Sequence, residues 1–462
     1  MVKNFIKIGI IALLTGVLFG WSIGHNISNG VDKAFAITED SNYIYIAGCD
    51  ESPGDLQIRI QKRNKSDGSI VWERWNNISS YIDVILAITD DDNYIYTAGY
   101  DFGSGNYSQW RIEKRNKSDG SPVWSIGHDI SNYDDYAFAI TEDANYIYVA
   151  GTDDSPGPAD FQFRIQKRNK SDGSIVWERW NNISSGYDMI YAITDDNDYI
   201  YTAGYDCQPG NDVQWRIEKR NKSDGSPVWS VAHNISSNYD IAYAITEDAN
   251  YIYVAGYDES PGSNDAQIRI QKRSKSDGSI VWERWNNIST GDDEILAITD
   301  DDNYIYTAGT DEVPGNSQWR IEKRNKSDGS PVWVKQIDFS PYSVALGITL
   351  DNQCIYICGY DVIPGNSEWR IEKRRKSDGL SVNENASLPK EKHFEVFPNP
   401  FFSNLIIKTY GFNGNIKIYN VSGELVKVFP YKSCIIWNGE NMPSGIYFIK
   451  IEEKIKEVIK LK

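Results

Sequence analysis

The sequence predicts an all-β protein: a seven-bladed β-propeller closed by its own N-terminal strand, followed by a small C-terminal β domain. Three observations predict it. The tripeptide Ala-Ile-Thr, replaced by Gly-Ile-Thr in the last copy, ends at Thr38, Thr89, Thr141, Thr194, Thr246, Thr299 and Thr349, a repeat of 50 to 53 residues. Each copy holds four short stretches with strand patterning and nothing helical between them. The seventh copy lacks its last stretch, which reappears near the start of the chain.

In the first copy, strand a is Ala34–Thr38, strand b Tyr43–Gly48, strand c Gln57–Arg63 and strand d Ile70–Trp75. Strands b and c alternate with period two and are rich in Tyr, Ile and Trp, as half-buried antiparallel strands are. "EDSN" after strand a and "KSDG" before strand d are turn signals, because Asx side chains bond their own backbone and Gly accepts positive φ. A four-stranded sheet cannot bury both faces alone, whereas seven packed face to face around an axis can.

The ring closes at a seam. "KSDGS" leads into a Val-Trp strand at Trp72, Trp124, Trp177, Trp229, Trp282 and Trp333, but the seventh "KSDG" runs into "LSVNENAS". "WSIGHNIS" from Trp21 matches "WSIGHDIS" from Trp124, and eleven residues separate Trp21 from Asp32 as they separate Trp72 from Asp83. Copies 1, 3 and 5 share "RIQKR…IVWERWNNIS"; copies 2, 4 and 6 share "WRIEKR…PVW", followed by Ser in copies 2 and 4, and copy 7 is of the second subtype. The strand at Trp21 therefore supplies strand d of blade seven, which leaves no open sheet edge. The expected organisation is a signal peptide at 1–20, the propeller at 21–380, a linker at 381–392 and a terminal domain at 393–462. Lys3 and Lys7 precede an apolar run from Ile8 to Phe19, which is short for a membrane span and suits a signal peptide.

The formal charge of −18 disfavours nucleic acid and anionic membranes as partners, and the propeller is expected to be monomeric. Five Cys in 462 residues do not make a disulfide framework. His25, His128 and His233 occupy one slot in three copies and read as a packing position.

The core with Asn64 and Gly68 leading into Trp72 resembles the blade repeat of propellers related to pyrroloquinoline quinone dehydrogenases. That resemblance implies that the Trp at 21, 72, 124, 177, 229, 282 and 333 dock structurally between blades. Asp67-Gly68 stands where that family usually has Thr-Gly, and no adjacent Cys pair accompanies it, so the cofactor is not expected. At the C-terminus, "FEVFPNPF" from Phe394, "GNIKIYNVSGELV" from Gly414, "WNGENMPSGIYFIKI" from Trp437 and the basic end "KEVIKLK" resemble the type IX secretion C-terminal sorting domain. The resemblance implies an Ig-like β-sandwich read by the type IX machinery, and a product released or held at the outer-membrane cell surface.

Alternating strand directions put the d-a and b-c loops on one face and the a-b and c-d loops on the other. The second face has fixed loop lengths, while the b-c loops vary, and binding sits more often on varied loops over a rigid scaffold. Asp50 with Arg59 and its six repeats flank each b-c loop and read as a hairpin-steadying pair. Asp32, Asp83, Asp135, Asp188, Asp240 and Asp293, with Ser343 in copy seven, enter the inner strands. They either hold a hard cation such as Ca2+ at the channel mouth or cap their own turns. Tyr81, Tyr133, Tyr187 and Tyr239 in the same loops are candidates for stacking on sugar rings or gripping a protein. No other cofactor is expected. The near identity of copies 1 to 6 favours a non-catalytic exported propeller binding glycan or protein. The alternatives are an exported glycoside hydrolase or polysaccharide lyase, or a structural surface-layer component.

Overall fold

The computed structural model describes residues 20–381 and 393–462, apart from 53, 104–106, 156, 158–159, 209–211, 263–264, 314–315, 364, 411–414, 431–433 and 453. The expected signal peptide and linker lie outside the described residues except for Gly20 and Ser381. The chain divides into two compact units, Met1–Ser381 and Val382–Lys462.

The first unit is seven four-stranded antiparallel sheets. Blade 1 runs Asp32–Glu39, Tyr43–Asp50, Gln57–Asn64 and Ile70–Asn76 from the inner strand a to the outer strand d. Blades 2 to 6 repeat the pattern over 84–128, 135–181, 189–233, 240–286 and 294–337. Blade 7 takes strands a to c from Ser343–Leu350, Cys354–Ile363 and Asn366–Arg375, and its strand d is Trp21–His25, in register Trp21↔Lys373 through His25↔Trp369. The seam expected from the sequence is therefore an ordinary antiparallel ladder.

The core lies between successive sheets. Tyr45, Ile58, Ile60 and Trp72 of blade 1 pack on Ile85 and Ile95 of blade 2, and Trp21, Tyr356 and Trp369 of blade 7 pack on Ala34, Ile44 and Ile46 of blade 1. All seven docking tryptophans behave alike. The indole N–H of each donates to a backbone carbonyl in the next blade: Trp21 to Lys65, Trp72 to Lys117, Trp124 to Lys170, Trp177 to Lys222, Trp229 to Lys275, Trp282 to Lys326 and Trp333 to Lys376, at 3.0 to 3.2 Å. The "KSDG" turn makes room for the ring. Gly120 has φ +73°, and a Cβ there would meet the Trp72 ring at 2.8 Å, so glycine is required twice over.

The a-b/c-d face is laced by charge. The lysine of each "KSDG" turn reaches an aspartate on the a-b loop of the preceding blade: Lys65 to Asp351 at 3.3 Å, Lys117 to Asp40 at 3.6 Å, Lys170 to Asp91 at 3.1 Å and Lys376 to Asp301 at 2.6 Å. Lys222–Asp143, Lys275–Asp196 and Lys326–Asp248 complete a belt that crosses every blade boundary, the seam included. The same aspartates cap their own hairpins, as Asp40 does for the amides of Asn42 and Tyr43 and the Tyr45 hydroxyl. This double use accounts for the fixed loop lengths on this face.

The second unit has a three-stranded sheet (His393–Phe397, Asn404–Tyr410, Cys434–Asn438) and a four-stranded sheet (Leu425–Phe429, Ile416–Asn420, Gly445–Ile451, Lys454–Lys460). Phe394, Phe401, Leu405, Ile407, Ile418, Trp437, Tyr447 and Ile449 form one core, as in a small sandwich.

Candidate binding face

On the d-a/b-c face six of the seven inner strands are entered through a buried aspartate. Oδ2 of Asp32 accepts the amides of Ile27 and Ser28 at 2.7 and 2.9 Å, and its Oδ1 accepts the Ser28 hydroxyl at 2.6 Å. Asp83, Asp135, Asp188, Asp240 and Asp293 make the same three bonds within their own d-a loops. In copy seven the Ser343 hydroxyl donates to the Ser317 carbonyl. The six carboxylates are thus committed locally and are not gathered at a common centre. Among the described residues no group of three or more His, Cys, Asp or Glu is placed to hold a metal ion. Burial pushes the Asp135 carboxyl up to about 6 against the pull of the Ile130 and Ser131 amides.

The loops held in this way project aromatics. Tyr81 is 57% exposed and lies 5.8 Å from Phe102; Tyr133 meets Tyr107 at 5.4 Å, and Tyr187 stacks on Phe161 at 5.3 Å. Tyr239 and Tyr342 are also exposed. The Asp–Arg pairs of the b-c hairpins are buried beneath them, with Arg59–Asp50 at 2.7 Å, Arg164–Asp153 at 2.6 Å and Arg216–Asp206 at 2.8 Å. They fix the scaffold from which the aromatic loops project.

Two features of this face were not singled out in the sequence. First, strand d of blades 1, 3 and 5 ends in an outward Trp75, Trp180 or Trp285, each laid over the buried Arg59, Arg164 or Arg269 with the guanidinium 5.1 to 5.3 Å from the ring. The signal is the second Trp of "IVWERW", which the "PVW" copies lack. Second, the inner strands break the seven-fold symmetry. Each carries a bulge at one place, and at the bulged positions the rings of Phe138, Tyr191 and Tyr243 meet across blades at 5.0 Å. At the position directly after the capping aspartate Asp293, blade 6 places Glu294. Burial, reinforced by Asp292 and Glu312, raises its carboxyl to about 7. The position equivalent to Glu294 in blade 1 is Lys33, whose ammonium lies over the Tyr360 ring at 4.6 Å.

Comparison with known proteins agrees with both units. Residues 395–461 match the secretion system C-terminal sorting domain. No curated protein matches the chain. Among solved structures, hydrazine synthase of Kuenenia stuttgartiensis is 12% identical, covering 73% of this chain and 94% of its own at a TM-score of 0.50. The WD40 β-propeller domain of Doa1 is 13% identical, covering 79% and 99% at 0.48. Chaetomium thermophilum Sqt1, solved bound to the N-terminus of ribosomal protein L10, is 13% identical, covering 88% and 98% at 0.46. Identities this low speak to fold alone. The chain is a β-propeller that carries a C-terminal secretion sorting domain.

Proposed function

We propose that the protein is an exported, non-catalytic binding propeller that presents its d-a/b-c face to a glycan at the cell surface or in the surrounding medium. The sorting domain accounts for export and for engagement of the type IX machinery. One observation carries the binding reading: exposed aromatics are concentrated on loops whose backbones are fixed by buried aspartate caps and Asp–Arg pairs. Such platforms cost little ordering entropy when a ligand arrives. The opposite face spends its charges on joining blades. Binding to a glycan array without release of products supports this reading, and sugar release from a polysaccharide panel overturns it. Selective binding of a protein ligand in place of any glycan would keep the binding role and change the ligand.

A second reading, an exported glycoside hydrolase or lyase, draws on Glu294. A carboxyl raised to about 7 beside Asp292 has the protonation behaviour of a general acid near neutral pH. Glu294→Gln separates the two readings: it abolishes turnover in a hydrolase and leaves rim binding intact in a binding propeller.

A further inference from the structure

The blades alternate between two subtypes, but their number is odd, and this decides where one constellation recurs. The strand-d residue paired with the strand-c arginine is Trp75, Gly127, Trp180, Ala232, Trp285, Gln336 and Gly24 in blades 1 to 7. Four blades close without an indole here, so the fold does not require one. Even so, Trp75, Trp180 and Trp285 stand 62%, 59% and 59% exposed, although burying a large apolar side chain is worth about 1.5–3 kcal/mol.

Each indole is held as a platform. The guanidinium against it is fixed by two carboxylates: Arg59 by Asp50 at 2.7 Å and Glu73 at 3.3 Å, Arg164 by Asp153 at 2.6 Å and Glu178 at 3.2 Å, and Arg269 by Asp258 at 2.5 Å and Glu283 at 3.0 Å. The preceding blade completes the cleft with a histidine. His128 Nε2 lies 3.8 Å from Glu178 and His233 Nε2 lies 3.4 Å from Glu283, while His25 lines a cleft of about 530 Å3 with Arg59, Glu73 and Trp75. These histidines end strand d of blades 2, 4 and 7. Blade 6 is of the same subtype but faces blade 7, which has no indole at this place, and at the histidine position it carries Ile337. Within the second subtype, histidine is present where the next blade supplies the tryptophan and absent where it does not. Packing within a blade gives no reason for this pairing; a site shared across the boundary does.

We propose that the three clefts at blade junctions 7–1, 2–3 and 4–5 each bind one uncharged pyranose residue, so that the propeller is trivalent for a glycan. This rests on the binding reading above and specifies its site, number and sugar class. The C–H face of a pyranose covers an indole without stripping its hydroxyls of partners, and those hydroxyls meet carboxylate, guanidinium and imidazole at the ring edge. The sugar is uncharged because each guanidinium is already held between two carboxylates and leaves no free positive charge for an anionic group. The hydrogen bond from Gln166 and the charge of Arg164, with His128 nearby, outweigh burial and hold Glu178 at about 2, so it is ionised throughout the neutral range. An anionic sugar would oppose that carboxylate, and a cationic one the paired arginine. Three like clefts on one rigid ring also gain by avidity on a repeating polymer.

The test is calorimetry of the full chain with neutral hexasaccharides (α-1,4- and β-1,4-glucose, β-1,4-mannose, β-1,4-xylose) and an oligouronate as the charged control. Three equivalent sites are expected for at least one neutral probe and none for the oligouronate. Trp75→Ala, Trp180→Ala and Trp285→Ala each reduce the stoichiometry to two, and the triple variant loses binding at least 100-fold while melting within a few degrees of the parent. A triple Trp→Phe variant, which keeps an aromatic platform, retains most of the binding. Retention of parental binding by the triple Ala variant, or a parental stoichiometry of one, overturns the inference and leaves the glycan reading in place. A parent that binds none of the probes overturns both.

Discussion

The two faces of the propeller are built from the same repeat and use its acidic residues in opposite ways. On the a-b/c-d face, aspartates such as Asp40 and Asp91 serve their own hairpin and also the neighbouring blade's lysine, so no loop can change length without breaking a joint. On the d-a/b-c face, Asp83 and its repeats serve only their own loop, and the loop tips are free to vary. Charge that couples blades restricts a face, whereas charge that caps a single loop leaves a stable base for variable side chains.

This contrast orders the expected effects of substitution. Deleting Trp21 to Ser28 removes the outer strand of blade 7 together with the Trp21–Lys65 bond, and is expected to lower the melting temperature by more than about 10 °C, which differential scanning calorimetry reads. Unchanged melting would mean that the ring closes some other way. On the coupled face, Gly120→Ala places a Cβ against the Trp72 ring at positive φ, for an expected loss of roughly 2–4 kcal/mol in urea unfolding.

Glu294 is expected to make stability depend on pH. The folded protein holds this proton up to about pH 7 and the unfolded chain releases it near 4.5, so its contribution is most favourable below about 4.5 and falls as pH rises to about 7. Glu294→Gln should therefore unfold like the parent at pH 4 and be more stable by about 1–3 kcal/mol at pH 8. A gap that widens toward acid would refute the assignment. On the variable face, Asp83→Ala should cost about 1–2 kcal/mol through its loop amides, equally with and without EDTA. A loss of stability seen only in the chelated parent would restore a cation role for the aspartates. Tyr81→Ala should change stability by less than about 0.5 kcal/mol.

The ring was legible because near-identical copies fix strand order, and the distance from Trp21 to Asp32 identifies the displaced strand. The docking role of the tryptophans was legible only through the resemblance of the blade repeat to a known propeller family. The clefts were not. Trp75 and Glu73 are neighbours of Trp72 in one strand, but their partner His25 comes from the blade across the seam, and the subtype rule appears only once junctions, rather than copies, are compared. The aspartates read equally well as ligands or caps, because spacing along a strand does not reveal where a carboxylate turns. Glu294 lay in "DDEILAIT", hidden among acidic neighbours whose burial only the fold defines.

The displaced strand also sets the order of assembly. Trp21–His25 pairs with Asn366–Arg375, at the far end of the propeller sequence. The folding chain can stack several blades in turn, but it cannot complete the circle until blade 7 has formed. Loop closure over that span carries the largest entropic cost in the domain and so comes last. Until then the first unit is an open arc, and its ring is complete only when its first and last strands pair.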